Sequence, residues 1–152
     1  MRRQEKEITV RSQLEAVIAA SQVCRLAMSD GEQPYIVPLC FGYRENRLYF
    51  HSAAEGRKID MLRRNPQVCF EFDLDAQTVP GDSACGWTMR YRSVIGFGTA
   101  EILDGPEEKR PALEVIMKHY AGDGPHDFIA KALDKTIVIQ VTIQRMTGKQ
   151  SG

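Results

Sequence analysis

The chain has 152 residues, 43% of them hydrophobic and 26% charged, the profile of one ordinary globular domain and not of a disordered chain. A domain of this length buries roughly 70% of the surface its unfolded chain exposes, so it needs no staple to fold. Lys plus Arg balances Asp plus Glu at 20 each, which excludes a global field steering the protein onto nucleic acid or anionic membrane.

Cys24, Cys40, Cys69 and Cys85 are scattered, with no Cys-x-x-Cys pair and no histidine at ligand spacing, so no metal site is expected. Cys24, Cys40 and Cys69 fall in apolar strand-like runs and are expected as small buried hydrophobes, which suits a reducing cytoplasm. The charged start Met-Arg-Arg-Gln-Glu-Lys-Glu has no apolar stretch behind it, and no later run has the length of a membrane span. A cytoplasmic chain with neither membrane nor nucleic acid as partner is the expectation.

In chain order, Ser12-Gln13-Leu14-Glu15 matches a capping box and predicts a short first helix carrying Leu14, Val17 and Ile18 on one face. Val23 to Ser29 reads as a strand, Asp30-Gly31 as a hairpin turn, and Pro34 to Tyr43 as the returning strand. Pro38 lacks an N–H, so it marks an edge or a bulge. Arg44 to Arg47 is a polar turn into a third strand, Leu48 to His51. Helical spacing runs from Lys58 to Asn65 and stops at Pro66. Val68, Phe70 and Phe72 alternate with Cys69, Glu71 and Asp73, the pattern of a half-buried strand. The pattern lapses from Leu74 to Gly86, expected as a loop. Trp87 to Gly96 and Gly98 to Leu103 read as two strands with a bend or bulge at the glycines. Asp104-Gly105-Pro106-Glu107 opens a helix with Leu113, Ile116, Met117 and Tyr120 at helical spacing, ending at Gly122. Phe128 to Leu133 adds a short helical piece, Thr136 to Ile143 a last strand, and a polar tail follows. Residues 1–11 and 147–152 are expected as flexible or dimer-contacting tails of a single 1–152 domain.

Six or seven strands joined mainly by hairpin-length turns argue for an antiparallel sheet, whose closure into a barrel removes exposed edges. The βαβ alternation of a doubly wound fold and its Gly-x-Gly-x-x-Gly fingerprint are both absent. The segment with the most chemistry is His51-Ser52-Ala53-Ala54-Glu55-Gly56-Arg57-Lys58, between a strand end and a helix start. Helix starts present unpaired N–H groups and partial positive charge. Arg57 and Lys58 add two cations, Ser52 a hydroxyl and Gly56 a close backbone approach, together enough to hold a phosphate monoester. Taken alone, a Gly-Arg-Lys helix start with solvated charges fits the same residues equally well.

The wider run Tyr49-Phe50-His51-Ser52-Ala53-Ala54-Glu55-Gly56-Arg57-Lys58-Ile59, with Leu62-Arg63-Arg64-Asn65-Pro66 and Val68-Cys69-Phe70, resembles the signature of the pyridoxamine 5′-phosphate oxidase-like split-barrel flavoproteins. Within them it is most similar to the Nim nitroimidazole-resistance group. The blocks Tyr35 to Tyr43, Tyr91 to Gly98 and Met146 to Lys149 extend the resemblance over nearly the whole chain. The resemblance implies a mainly β (α+β) fold: a six-stranded antiparallel split β-barrel with a few flanking helices. It also implies a homodimer with two FMN molecules at the interface, and a small-molecule substrate. By position, Ser52, Arg57, Lys58 and Ser93 are implied phosphate ligands, and the backbone of Val37, Pro38 and Leu39 borders the flavin ring. His51 matches the family position near flavin and substrate, where an imidazole can donate a proton near neutrality. Cys40 departs from the asparagine frequent in the family.

The implied activity is FMN-dependent oxidoreduction resembling nitroimidazole reductases. The alternatives are another oxidase or reductase on this scaffold, or a non-catalytic flavin- or haem-binding protein; a deazaflavin in place of FMN also remains open. Trp87 is a candidate to cover a flavin face, and core or dimer packing accounts for it equally, as for Tyr43 and Tyr91. His119, His126 and the pairs Arg2-Arg3 and Arg63-Arg64 are expected as surface groups. Lys149 reaches a cofactor only if the tail folds over a partner's barrel.

Overall fold

A computed structural model describes residues 3–152; Met1 and Arg2 lie outside them. A single 3-10 turn, Gln4–Lys6, leads into β1 (Glu7–Ile8), α1 (Arg11–Ala20), β2 (Cys24–Ser29), β3 (Pro34–Leu39), β4 (Gly42–Arg44) and β5 (Arg47–Ala53). Then follow α2 (Arg57–Arg64), β6 (Gln67–Val79), β7 (Thr88–Leu103), α3 (Pro106–Ala121), α4 (Ala130–Leu133) and β8 (Thr136–Ser151). No helix among the described residues is long and apolar enough to cross a membrane.

All strand pairs are antiparallel, in the order β3-β2-β6-β7-β8-β5-β4, with β1 paired to the far end of β8. The two ends of that path, β3 and β4, are consecutive in the chain and separated only by Cys40 and Phe41. Flat, those seven strands would hold the ends about 29 Å apart, whereas two intervening residues reach at most about 11 Å. The sheet therefore curls until its edges meet, and the seam is closed by chain and not by hydrogen bonds. This is a split barrel, mainly β, in which two short strands, β1 and β4, supplement the six long ones.

Strand alternation decides which side chains fill it. Along β5, Leu48, Phe50 and Ser52 face inward, while Tyr49 and His51 face outward. Phe41, Phe70, Phe72, Val94 and Ile139 complete the inner core. Outside, α3 packs Leu113, Val115 and Ile116 on Tyr49 and Val138.

Several expectations change. The strand predicted from Pro34 to Tyr43 breaks at Cys40-Phe41, because the Phe41 ring turns fully into the core and leaves Cys40 exposed. Cys40 is thus no buried hydrophobe, and Cys69 is only half-buried. The loop expected from Leu74 is strand as far as Val79; a register shift between Leu74 and Gln77, with Asp75 at φ 58°, absorbs the irregular sequence. β7 is one strand, and the irregularity at its glycines is a bulge opposite them, where Phe97 faces Arg145 and Gly98 faces Ile143. The capping box does not form: α1 starts at Arg11, and Glu15 pairs with Arg11 at 3.0 Å instead. Residues 147–151 are the last part of β8, paired with β7 and, at Gly148 and Lys149, with β1.

Candidate functional site

Gly56 opens α2 at φ +117°, a conformation that L side chains rarely adopt. No side chain caps the helix there, and a Cβ at Gly56 would meet nothing within 4 Å; Ile59 and Asp60 N–H donate to Gly56 O, which leaves the N–H groups of Arg57 and Lys58 for an approaching anion. Arg57 donates from Nη2 to Gln33 Oε1 at 2.7 Å, and its guanidinium lies 4.7 Å over the Tyr35 ring. The cationic start of α2 is thereby pinned to the β2–β3 hairpin. Lys58 is half-buried, and burial pushes its ammonium below the usual lysine range. A cation short of solvent favours an anionic ligand beside it.

β3 pairs only with β2, so its other edge is free. Pro38 sits on this edge strand as predicted, facing outward with Ile36 and Cys40, while Tyr35, Val37 and Leu39 pack on the core. Tyr35, at one end of β3, touches Arg57. Cys40, just past the other end, lines a cavity of about 410 Å³ together with His51, Met117, Tyr120, Phe128 and Ile129. The free edge at Val37 to Leu39 therefore runs from the cation pair to the His51 cavity.

His51 and Ser52, neighbours in sequence, face opposite sides of β5: His51 is exposed on the outer face and Ser52 is buried on the inner one. They do not form one row of side-chain ligands. Ser93 and Trp87 also part from the group. Ser93 faces Lys149 across β7 and β8, whereas His51 faces Val138. Those two β8 positions are eleven residues apart, about 36 Å of strand. Trp87, 56% exposed, lies farther along still, just ahead of β7. Within one chain His51 therefore stands beside the start of β8 and Ser93 and Lys149 near its end, with Trp87 just ahead of β7, while Arg57 stands beside Gln33 and Tyr35 at the β2–β3 hairpin.

A larger cavity, about 570 Å³, lies on the other side of α3 and contains none of the expected site residues. Four of its polar side chains pair with one another, His126 Nδ1 at 2.9 Å from Glu114 and Lys118 at 2.6 Å from Asp123, and Arg44 also lines it. His119 and His126 are half-buried and not surface groups, because α3 folds onto the crossover from β3 to β4. The His119 ring lies 4.3 Å from that of Phe41, with Nε2 2.9 Å from Ser21 O. Sequence reading missed Gln33 and Tyr35 as the holders of Arg57, and Met117 and Tyr120 as cavity wall. The apolar face of α3 was legible; that Met117 and Tyr120 stand at its half-exposed shoulder was not.

Tyr120 fixes the crossover itself. Its hydroxyl accepts from Phe41 N–H at 3.0 Å and donates to Gln22 O at 2.9 Å, and burial pushes its pKa up to about 12.

The family described as pyridoxamine 5′-phosphate oxidase matches residues 10–150. A candidate 5-nitroimidazole antibiotic resistance protein from Bacteroides thetaiotaomicron VPI-5482 is 38% identical, with a TM-score of 0.83 over 94% of this chain and 85% of that one. An FAD- and haem-binding protein from Mycobacterium smegmatis shares the fold at 20% identity, with a TM-score of 0.86 over 96% of this chain and 73% of that one. An uncharacterized protein from Rhizobium meliloti (strain 1021) is 43% identical over 61 residues, and the match spans 40% of that curated relative and 40% of this chain. With its barrel, its α2 cation pair and a family match over nearly its whole length, the chain belongs to the pyridoxamine 5′-phosphate oxidase family.

Proposed function

We propose that the protein is an FMN-dependent oxidoreductase of the nitroreductase kind, working in the cytoplasm as a homodimer with two flavin sites at its interface. The observation that carries this is the layout along β3: an open, doubly cationic helix start at one end and an apolar cavity with an imidazole at the other. The donor set suits the cofactor, since Arg57, Lys58 and the α2 N–H groups offer a phosphate dianion both charge and hydrogen bonds. The 38% identity to the Bacteroides protein favours nitro compounds as substrates, and the four free thiols suit a reducing compartment.

Bound FMN supplies the electron transfer. The rest falls to the chain. Arg57 and Lys58 bind the phosphate, and the β3 edge at Val37 to Leu39 orients the ring with backbone groups. His51 holds a proton on its imidazole for the reacting substrate, and the apolar wall of α3 and α4 keeps water out. We assign Ser93, Lys149 and Trp87, which stand far along β7 and β8 from His51, to the contribution of the other subunit.

The test is the spectrum of the purified protein followed by anaerobic turnover of a 5-nitroimidazole with chemical and nicotinamide donors. Flavin absorbance that bleaches reversibly, with nitro reduction, is expected. A colourless protein that FMN cannot reconstitute, or a Soret band in its place, sinks the cofactor assignment. Flavin without turnover on any donor sinks the nitroreductase assignment.

A further inference from the structure

The cavity beside His51 is selective by what its wall lacks. At about 410 Å³ it falls in the size range of small-molecule pockets. Its wall holds Leu113, Ile116, Met117, Phe128, Ile129 and Leu133, with no lysine, arginine, aspartate or glutamate. The Tyr120 hydroxyl is committed to Phe41 N and Gln22 O, and the Thr136 hydroxyl donates to Ala132 O at 2.8 Å. That leaves the His51 imidazole and the Cys40 thiol as its polar groups with capacity to spare. Arg57 is held at the opposite end of β3 by Gln33 and Tyr35, about 17 Å of strand away. Arg110 lies 5.6 Å from the Phe128 ring and is no part of the wall. A phosphate or carboxylate placed here would give up water and find no lysine or arginine in the wall, only the single imidazole of His51.

We infer that this cavity is the substrate pocket of the site proposed above and takes small uncharged ring compounds, with Met117 and Ile129 at its rim setting the selection against anions. The inference rests on His51 as the substrate-facing residue. It separates this chain from a flavoprotein acting on phosphorylated substrates, for which the pocket would need a second cation cluster.

The probes are 4-nitrobenzyl alcohol and 4-nitrobenzoate, which share ring and nitro group and differ in charge. Calorimetric titration of the FMN-loaded dimer is expected to show the alcohol binding at least about tenfold more tightly. Met117→Lys and Ile129→Lys each place an ammonium at the rim and are expected to narrow or reverse that preference. Ile129 is 75% exposed, so its variant leaves the core untouched. Equal affinity for the two probes in the unmodified protein, or a preference that neither lysine moves, overturns the proposal. Binding is read without turnover, so the two readings fail separately. An alcohol that binds selectively but is never reduced supports the pocket and counts against nitroreduction; reduction that continues with a preference blind to both lysines does the reverse.

Discussion

Lys58 carries the most testable single charge. Burial holds its ammonium below the ordinary value of 10.5, so between the folded and unfolded pKa the unfolded chain binds more protons, and stability rises with pH across that window. Below the folded pKa the cost of burying the charge is present in full. Lys58→Met keeps the volume and removes the charge. Without phosphate it is therefore expected to melt higher than the unmodified protein at neutral pH, with the gap closing as pH approaches 10.5. Melting curves across pH check this, and a gap that does not change with pH would contradict it. Added inorganic phosphate should raise the melting temperature of the unmodified protein more than that of the variant. Riboflavin, which lacks the phosphate, supplies the companion test: Arg57→Ala and Lys58→Ala should weaken FMN far more than riboflavin in equilibrium titrations, and equal losses would deny the phosphate grip. The cations at 57 and 58 were legible because a helix start attracts anions whatever surrounds it. The anchors of Arg57, Gln33 and Tyr35, more than twenty residues earlier, were not, since nothing local ties a hairpin to a later helix.

At the level of elements, the crossover from β3 to β4 and its clamp by α3 decide the shape of the site. β4 meets α3 backbone to backbone: a Cβ added at Gly42 would stand 2.7 Å from atoms of Val115 and Ile116. Gly42→Ala therefore has to push α3 outward, which should cost about 1–3 kcal/mol and widen the cavity beside His51. Denaturant unfolding measures the first effect and selectivity between the two nitro probes the second. Tyr120→Phe removes the partner of Phe41 N–H and of Gln22 O, at a cost of about 1–3 kcal/mol. A loss well below that range would mean water replaces the hydroxyl. Legibility follows the same division. The alternation of Val68, Phe70 and Phe72 gives a strand in any context, and β6 is one. The sequence from Leu74 to Val79 has no such pattern and became strand only because β7 supplies a partner across a bulge.

For the whole molecule, the outer face of β7 exposes Ile95 at 44% and Phe97 at 41%, with Arg145 lying 4.4 Å over the Phe97 ring. An apolar patch on a sheet face fits an interface between subunits, and the separation of Ser93 from His51 gives the interface a task. Phe97→Glu should yield a 17.1 kDa monomer in sedimentation velocity and lower FMN affinity about tenfold or more, although Phe97 is none of the residues assigned to the cofactor. A monomer that binds FMN as tightly as before would show that one chain completes the site. By itself the sequence determined the strands whose alternation is local, the cationic start of α2 and membership of the family, because each is written within a few consecutive residues or in ordered blocks. Tertiary structure alone decided that β3 and β4 close the barrel through two residues, that α3 walls the cavity beside His51, and that Ser93 stands about 36 Å of strand from His51. Those are facts of pairing between distant segments, and side-chain periodicity carries no information about which strand end meets which.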